Sequence, residues 1–224
     1  MRDVRLLFFG DSFTAGAGDP LGCGWVGRVA AAAMPVTPYN LGIRGETSLD
    51  VLVRFEEEAR RRMRPGVACG VVFSVGANDV CDEADVASAQ TALGGGAELA
   101  ARGGAARGPG PRVGAARSVS ALGELLDGAA ALELPALVVG PLPVGEPVPD
   151  ARVAPLDAAF AALCVERGVP YISVAAEIAA FAPWHEEARA GDGVHPGRAG
   201  YDRLAEIVLA GGLTAWIDGL GRLQ

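Results

Sequence analysis

Short, predominantly apolar runs alternate along the chain with longer stretches in which apolar residues return every three or four positions. Runs at 4–9, 36–41, 67–75, 136–139 and 169–174 have the length and two-sided hydrophobicity of strands buried on both faces of a parallel sheet. Between them, Trp25, Val29, Ala30 and Ala33 share a helical face that Pro35 ends. Thr47 or Ser48 offers a cap to a helix carrying Leu49, Leu52, Val53 and Phe55, which must close before Pro65-Gly66. Val119, Leu122, Leu125, Leu126 and Ala129 form the next stripe, and Leu156, Phe160, Leu163 and Cys164 form another that stops at Gly168. A last helix carries Leu204, Ile207 and Val208. Strands alternating with helices of this length predict a three-layer α/β/α sandwich around a five-stranded parallel sheet, in one domain spanning 1–224.

One segment breaks the pattern. From 94 to 112, Gly, Ala and Pro supply 14 of 19 residues, and Leu99 is the one larger aliphatic side chain. Such a stretch buries little surface, so it reads as a mobile insertion, with a flap over the sheet rim and an idle loop both open as its role.

Composition narrows the chemistry. The Lys+Arg count of 19 is all Arg, because the chain has no Lys. That excludes a Walker A phosphate loop, a Schiff-base lysine and a protein-kinase strand lysine. Two histidines, His185 and His195, exclude a multi-His metal site. A net charge of −8 opposes a nucleic-acid partner, which requires clustered basic charge. The one basic cluster, Arg60, Arg61, Arg62 and Arg64, follows Glu56, Glu57 and Glu58 and reads as a solvated helix end complementing the helix dipole. Cys23, Cys69, Cys81 and Cys164 show neither metal-binding pairs nor the density of a disulfide scaffold, and read as reduced thiols. No signal-peptide pattern opens the chain, and the longest apolar stretch, 207–217, is about half a membrane span. The expectation is a cytoplasmic protein without membrane insertion.

Four blocks carry candidate chemistry. Gly10-Asp11-Ser12 places a hydroxyl on a tight turn just after the first strand, where backbone N–H groups are near and a nucleophile can be exposed. Thr14 stands where a Gly-x-Ser-x-Gly elbow would need its last Gly, and a capping Ser in a βα loop is the plain structural alternative. Asp192-Gly193-Val194-His195 puts a carboxylate one turn before an imidazole, where it can accept from Nδ1–H and leave Nε2 free as a base. The rival His185 has Ala182 at the corresponding position. Segments 40–47 and 76–79 supply Gly N–H groups and the Asn78 amide, donors suited to a developing oxyanion. Each block alone is an ordinary turn, yet all follow predicted strands or occupy the last such loop, and in an open parallel sheet those loops converge on one rim.

With these blocks in this order, the sequence resembles the SGNH hydrolases, the GDSL family of esterases and lipases, over nearly its whole length. The resemblance implies that Ser12 is the nucleophile, that His195 is the base oriented by Asp192, and that the oxyanion hole comprises the Ser12 N–H, the Gly45 N–H and the Asn78 side chain. Gly45 is preferred to Gly42 because it directly precedes Glu46-Thr47, as the family pattern requires. The resemblance further implies strand order 2-1-3-4-5 and a serine esterase acting on small acyl esters through an acyl-enzyme, with no cofactor. An acyltransferase using the same triad, or a binding module on the same fold, stands as the alternative. Phe13 replaces the Leu of the family's name. Gly22-Cys23-Gly24-Trp25-Val26-Gly27 also matches a dinucleotide fingerprint, but that motif must directly follow a strand and here the Ser12 loop intervenes.

Overall fold

The computed structural model describes residues 4–33, 35–82 and 110–222. Five parallel strands form one sheet in the order β2-β1-β3-β4-β5: β1 (Val4–Gly10), β2 (Val36–Gly42), β3 (Ala68–Ser74), β4 (Ala136–Val139) and β5 (Tyr171–Ile172). Successive side chains of a strand face opposite ways, and β1 divides accordingly. Leu6 and Phe8 enter one core with Trp25, Val29, Tyr201, Leu204 and Val208. Leu7 and Phe9 enter a second core with Val51, Phe55, Leu122, Leu125 and Phe160. Burying each such side chain contributes about 1.5–3 kcal/mol, which explains why the central strands β1 and β3 read as largely apolar runs.

The helices covering the first face are α2 (Gly24–Ala32), α8 (Arg198–Val208) and α9 (Thr214–Leu220). Those on the second are α3 (Ser48–Arg62), α4 (Ala115–Ala131) and α5 (Pro147–Arg167). Thr47 caps α3 in a reciprocal capping box with Asp50. The chain continues from β1 through a single helical turn, α1 (Ser12–Ala15), and from β5 through α6 (Ala175–Ala179) and α7 (Ala182–Ala190).

Several boundaries differ from the predicted ones. Helix α5 begins at Pro147, where a fixed φ suits the first turn, and runs through Pro155, so it extends well before the predicted stripe that starts at Leu156. Strand β5 is shorter than the run 169–174, because pairing with β4 involves only Val138↔Tyr171 and Val139↔Ile172. The predicted last helix is followed by α9, after a kink at Gly212 (φ +109). Of the predicted insertion 94–112, residues 94–109 lie outside the described residues. No helix among the described residues is long and apolar enough to cross a membrane.

Register determines what meets at the rim. Gly10 pairs with both Gly42 and Ser74, so β1, β2 and β3 end side by side and release their loops to one place. These ends are packed backbone to backbone: a Cβ on Gly42 would lie 2.2 Å from the Ala15 nitrogen and 2.7 Å from the Asp11 oxygen. Asn40 strengthens the junction, donating Nδ2–H to the Thr14 carbonyl at 2.8 Å.

Candidate active site

The loop after β1 turns directly into α1. Asp11 caps it, its Oδ1 accepting the Phe13 N–H at 2.9 Å, and Ser12 is its first residue. The Ser12 N–H therefore has no acceptor within the helix. Asp11 is buried, and burial pushes its carboxyl up to about 7 against the Phe13 N–H, with the nearby Asp79 carboxyl adding to the rise. Asp79 is buried too, and burial raises its carboxyl although the Ser48 hydroxyl and N–H both donate to it, at 2.6 and 2.8 Å. That pair joins the start of α3 to the turn after β3.

On the opposite side of the rim, residues 192–195 form one tight turn. Asp192 Oδ1 accepts the N–H groups of Val194 (3.1 Å) and His195 (2.8 Å), while Oδ2 lies 2.6 Å from His195 Nδ1. Burial opposes ionisation of Asp192, but the bonds from the His195 ring and backbone outweigh it and hold the carboxyl well below the usual range. An ionised carboxylate only accepts, so Nδ1 carries the proton and Nε2 presents a lone pair. His195 Nε2 is 2.7 Å from Ser12 Oγ, making one unbroken chain from Asp192 through His195 to Ser12.

The imidazole is held by packing as well. Phe13 lies 5.1 Å from the His195 ring and stacks on Trp184 at 5.6 Å; the Trp184 indole N–H donates to the Pro143 carbonyl at 3.2 Å. Gly18 (φ +83) passes so close that a Cβ there would stand 2.8 Å from the His195 Cβ. The helix following His195 starts at Arg198, two residues beyond Pro196, and its exposed N–H groups at Ala199 and Gly200 are received by Glu187 at 2.9 and 2.8 Å.

Between β2 and α3, residues Ile43 to Glu46 make a turn closed by the Glu46 N–H on the Ile43 carbonyl at 3.3 Å. Gly45 occupies its third position with φ +78, the conformation a type II turn demands there. Asn78 donates Nδ2–H to the Glu46 carbonyl at 3.0 Å, which leaves the second N–H of the amide for another acceptor. Arg54 braces this loop from α3, pairing with Glu46 at 2.7 Å and donating to the Leu41 carbonyl at 2.7 Å. Arg44 reaches across the rim to Asp192 Oδ2 at 3.5 Å.

The structure thus brings Ser12, Asp192 and His195 into hydrogen-bond contact and places Gly45 and Asn78 on adjoining loops. His185 takes no part in this chain; its Nε2 lies 3.1 Å from the Ala179 carbonyl. Two glycines of the rejected dinucleotide motif serve packing: Gly24 meets Gly16 so closely that a Cβ on it would lie 2.6 Å from the Gly16 Cα, a Cβ on Gly27 would lie 2.6 Å from the Cys23 Cβ, and Trp25 between them is fully buried. Sequence reasoning missed Phe13 as a support for the imidazole and Arg112, which donates to the Gly45 carbonyl at 2.8 Å. A carboxylate, an imidazole and a hydroxyl in this sequence of contacts can transfer the hydroxyl proton to the ring as oxygen attacks an acyl carbon.

An α/β/α sandwich with this chain of contacts at the strand ends defines a hydrolase class. Residues 8–203 match the GDSL-like lipase/acylhydrolase family; the chain belongs to that family and is a hydrolase of carboxylic esters. Three solved structures share the fold. A catalytic mutant of an acetylxylan esterase from Geobacillus stearothermophilus is 21% identical, with 92% of this chain and 93% of that one covered and a TM-score of 0.65. The lipase/acylhydrolase from Enterococcus faecalis is 20% identical, with 95% of each chain covered and a TM-score of 0.65. A member of the lipolytic G-D-S-L family from Veillonella parvula is 18% identical over 92% and 97% of the two chains, with a TM-score of 0.60. No sequence match was found among curated proteins.

Proposed function

We propose that the protein is a serine esterase of small acyl esters that works through an acyl-enzyme on Ser12. The observation that carries this reading is the contact of His195 Nε2 with Ser12 Oγ at 2.7 Å while Nδ1 faces Asp192 at 2.6 Å. His195 takes the Ser12 proton as Oγ attacks the ester carbonyl, and the imidazolium formed is stabilised by the ionised Asp192. The tetrahedral oxyanion is received by the N–H groups of Ser12 and Gly45 and by the Asn78 amide. His195 then protonates the departing alcohol and, in the second half-reaction, deprotonates the water that releases the acid. Catalytic mutants of the acetylxylan esterase replace a Ser, an Asp and a His, the three residue types joined here.

The substrate class is a small ester such as an acetylated sugar, a short-chain ester or a monomeric lysophospholipid. An ester series with increasing acyl length, assayed on purified protein with and without alcohol or sugar acceptors, tests this. The reading expects the highest kcat/KM at short acyl chains and free acid as the product. Preference for long acyl chains would overturn the substrate class, and acyl transfer to the acceptor in place of acid release would identify an acyltransferase.

A further inference from the structure

Two successive carbonyls of the turn after β2 are gripped from outside it. Asn78 holds the Glu46 carbonyl at 3.0 Å, and the Arg112 guanidinium holds the Gly45 carbonyl at 2.8 Å. Gly45 needs such a grip. It has no Cβ, so alternative φ/ψ regions are open to it at little cost; its carbonyl lies in the following peptide with the Glu46 N–H and its own N–H in the preceding one with the Arg44 carbonyl, so the direction of that N–H depends on the Gly45 torsions. The bond that closes the turn, from the Glu46 N–H to the Ile43 carbonyl, is 3.3 Å, at the long end of the hydrogen-bond range. Arg44, the remaining residue of the turn, has its side chain half exposed and contacts Asp192 at 3.5 Å.

Arg112 is anchored in turn. Its N–H donates to the Cys81 carbonyl at 2.9 Å and the Val113 N–H donates to the Asp79 carbonyl at 3.1 Å. Asp82 and Pro111 form an antiparallel bridge between the same two segments. Arg152 fastens the near segment, donating to the Val80 carbonyl at 2.7 Å and pairing with Asp82 at 2.9 Å. The donors on the Gly45 and Glu46 carbonyls therefore come from one braced unit, built on the Asn78-Asp79 turn and the segment that returns beside it.

We infer that Arg112 is a positioning residue for the oxyanion hole: by holding the Gly45 carbonyl it fixes the Gly45–Glu46 peptide and, through it, the left-handed Gly45 torsions (φ +78) that keep the Gly45 N–H aimed at the tetrahedral oxygen. The inference rests on the reading of Gly45 as an oxyanion donor and deepens it. Arg112 acts through the Gly45 torsions and not on the substrate, so its loss leaves the nucleophile, the base and ground-state binding in place and removes stabilisation of the transition state alone. Outright deletion of an oxyanion donor costs about a hundredfold or more in kcat; loosening one is expected to cost roughly tenfold.

The test measures kcat per active site on p-nitrophenyl acetate, with sites counted by fluorophosphonate titration, for wild type, Arg112→Ala and Arg112→Lys, and turnover per mole of folded protein for Ser12→Ala, which has no serine to titrate. Counting sites removes any effect of a smaller folded fraction. The expected result for Arg112→Ala is a roughly tenfold fall in kcat per site with KM within about twofold. Partial recovery in tens of millimolar guanidinium, and an intermediate kcat for Arg112→Lys, are expected with it. Wild-type kcat per titrated site in Arg112→Ala would overturn the inference. Should Arg112→Ala yield no folded protein, Arg112→Lys decides in the same way: reduced kcat per site supports the inference and an unchanged value overturns it. Wild-type turnover in Ser12→Ala, by contrast, would overturn the underlying reading of the site.

Discussion

Replacing Asp192 by Asn separates the electrostatic task of this residue from its structural one. In the folded turn Oδ1 accepts two backbone N–H groups and Oδ2 faces the His195 ring. An Asn keeps the first oxygen and its two bonds, each worth about 1 kcal/mol, but presents an NH2 group to Nδ1. A donor opposite Nδ1 favours the tautomer with its proton on Nε2, and Nε2 then cannot accept the Ser12 proton. The expected loss is about 10⁴ in kcat, the scale seen when the same exchange is made in another Ser-His-Asp enzyme, with Tm close to wild type. Asp192→Ala deletes the backbone bonds as well, about 2 kcal/mol in all, and is expected to lower Tm by about 6 °C in a chain of this size. The assay is kcat per titrated site alongside calorimetric Tm for both variants. Asp192→Asn with kcat within about tenfold of wild type would show that the carboxylate does not hold the base in its working tautomer.

Further outcomes follow from single contacts. On the proposed reading of Asn78 as an oxyanion donor, Asn78→Ala is expected to lower kcat by about a hundredfold or more with KM little changed, as read from initial rates on a short-chain ester. Gly42→Ala drives a methyl group into backbone at 2.2 Å; no flexible side chain is there to yield, so a loss of stability of at least about 1 kcal/mol is expected in denaturant titrations. Asp11 has its carboxyl raised to about 7, from 3.8 in an exposed chain. Between those values the folded protein holds the proton that the unfolded chain has lost, so stability falls as pH rises from about 4 to 7, with a limiting slope of about 1.4 kcal/mol per pH unit. Asp11→Asn is expected to flatten that slope in urea titrations across the same pH range; an unchanged slope would show that Asp11 is not its source.

How much of this was legible in the sequence depended on range. The first three strands could be read to within a residue or two: β1 and β3 because burial on both faces demands mostly apolar side chains, and the edge strand β2, though it carries polar and exposed positions, because Val36 and Leu41 bracket it. The Asp192 to His195 pairing was legible because it is local, a carboxylate reaching across one turn. Strand order and the joining of Ser12 to His195 came through the family resemblance, since nothing in the spacing of the apolar runs encodes which edges pair. Helix α1 was invisible, being one turn long, and the first turns of α5 were missed because the apolar stripe was read only from Leu156. Phe13 was noted only as a departure from the family name, yet it lies against the His195 ring. Arg112 gave no signal: it reaches the Gly45 carbonyl across 67 positions, from the end of a segment whose composition points only to loop.

The absence of lysine makes the most direct test a clean one. Trypsin cleaves this chain after Arg alone, so residues 6–28 form one peptide in which Ser12 is the single serine. Treatment with a fluorophosphonate followed by tryptic mass mapping is expected to place one label on that peptide at Ser12, with ester turnover lost in step with labelling. In Ser12→Ala both the label and the turnover should be gone. A label carried by another peptide, or wild-type turnover in Ser12→Ala, would contradict the assignment of Ser12 as the nucleophile.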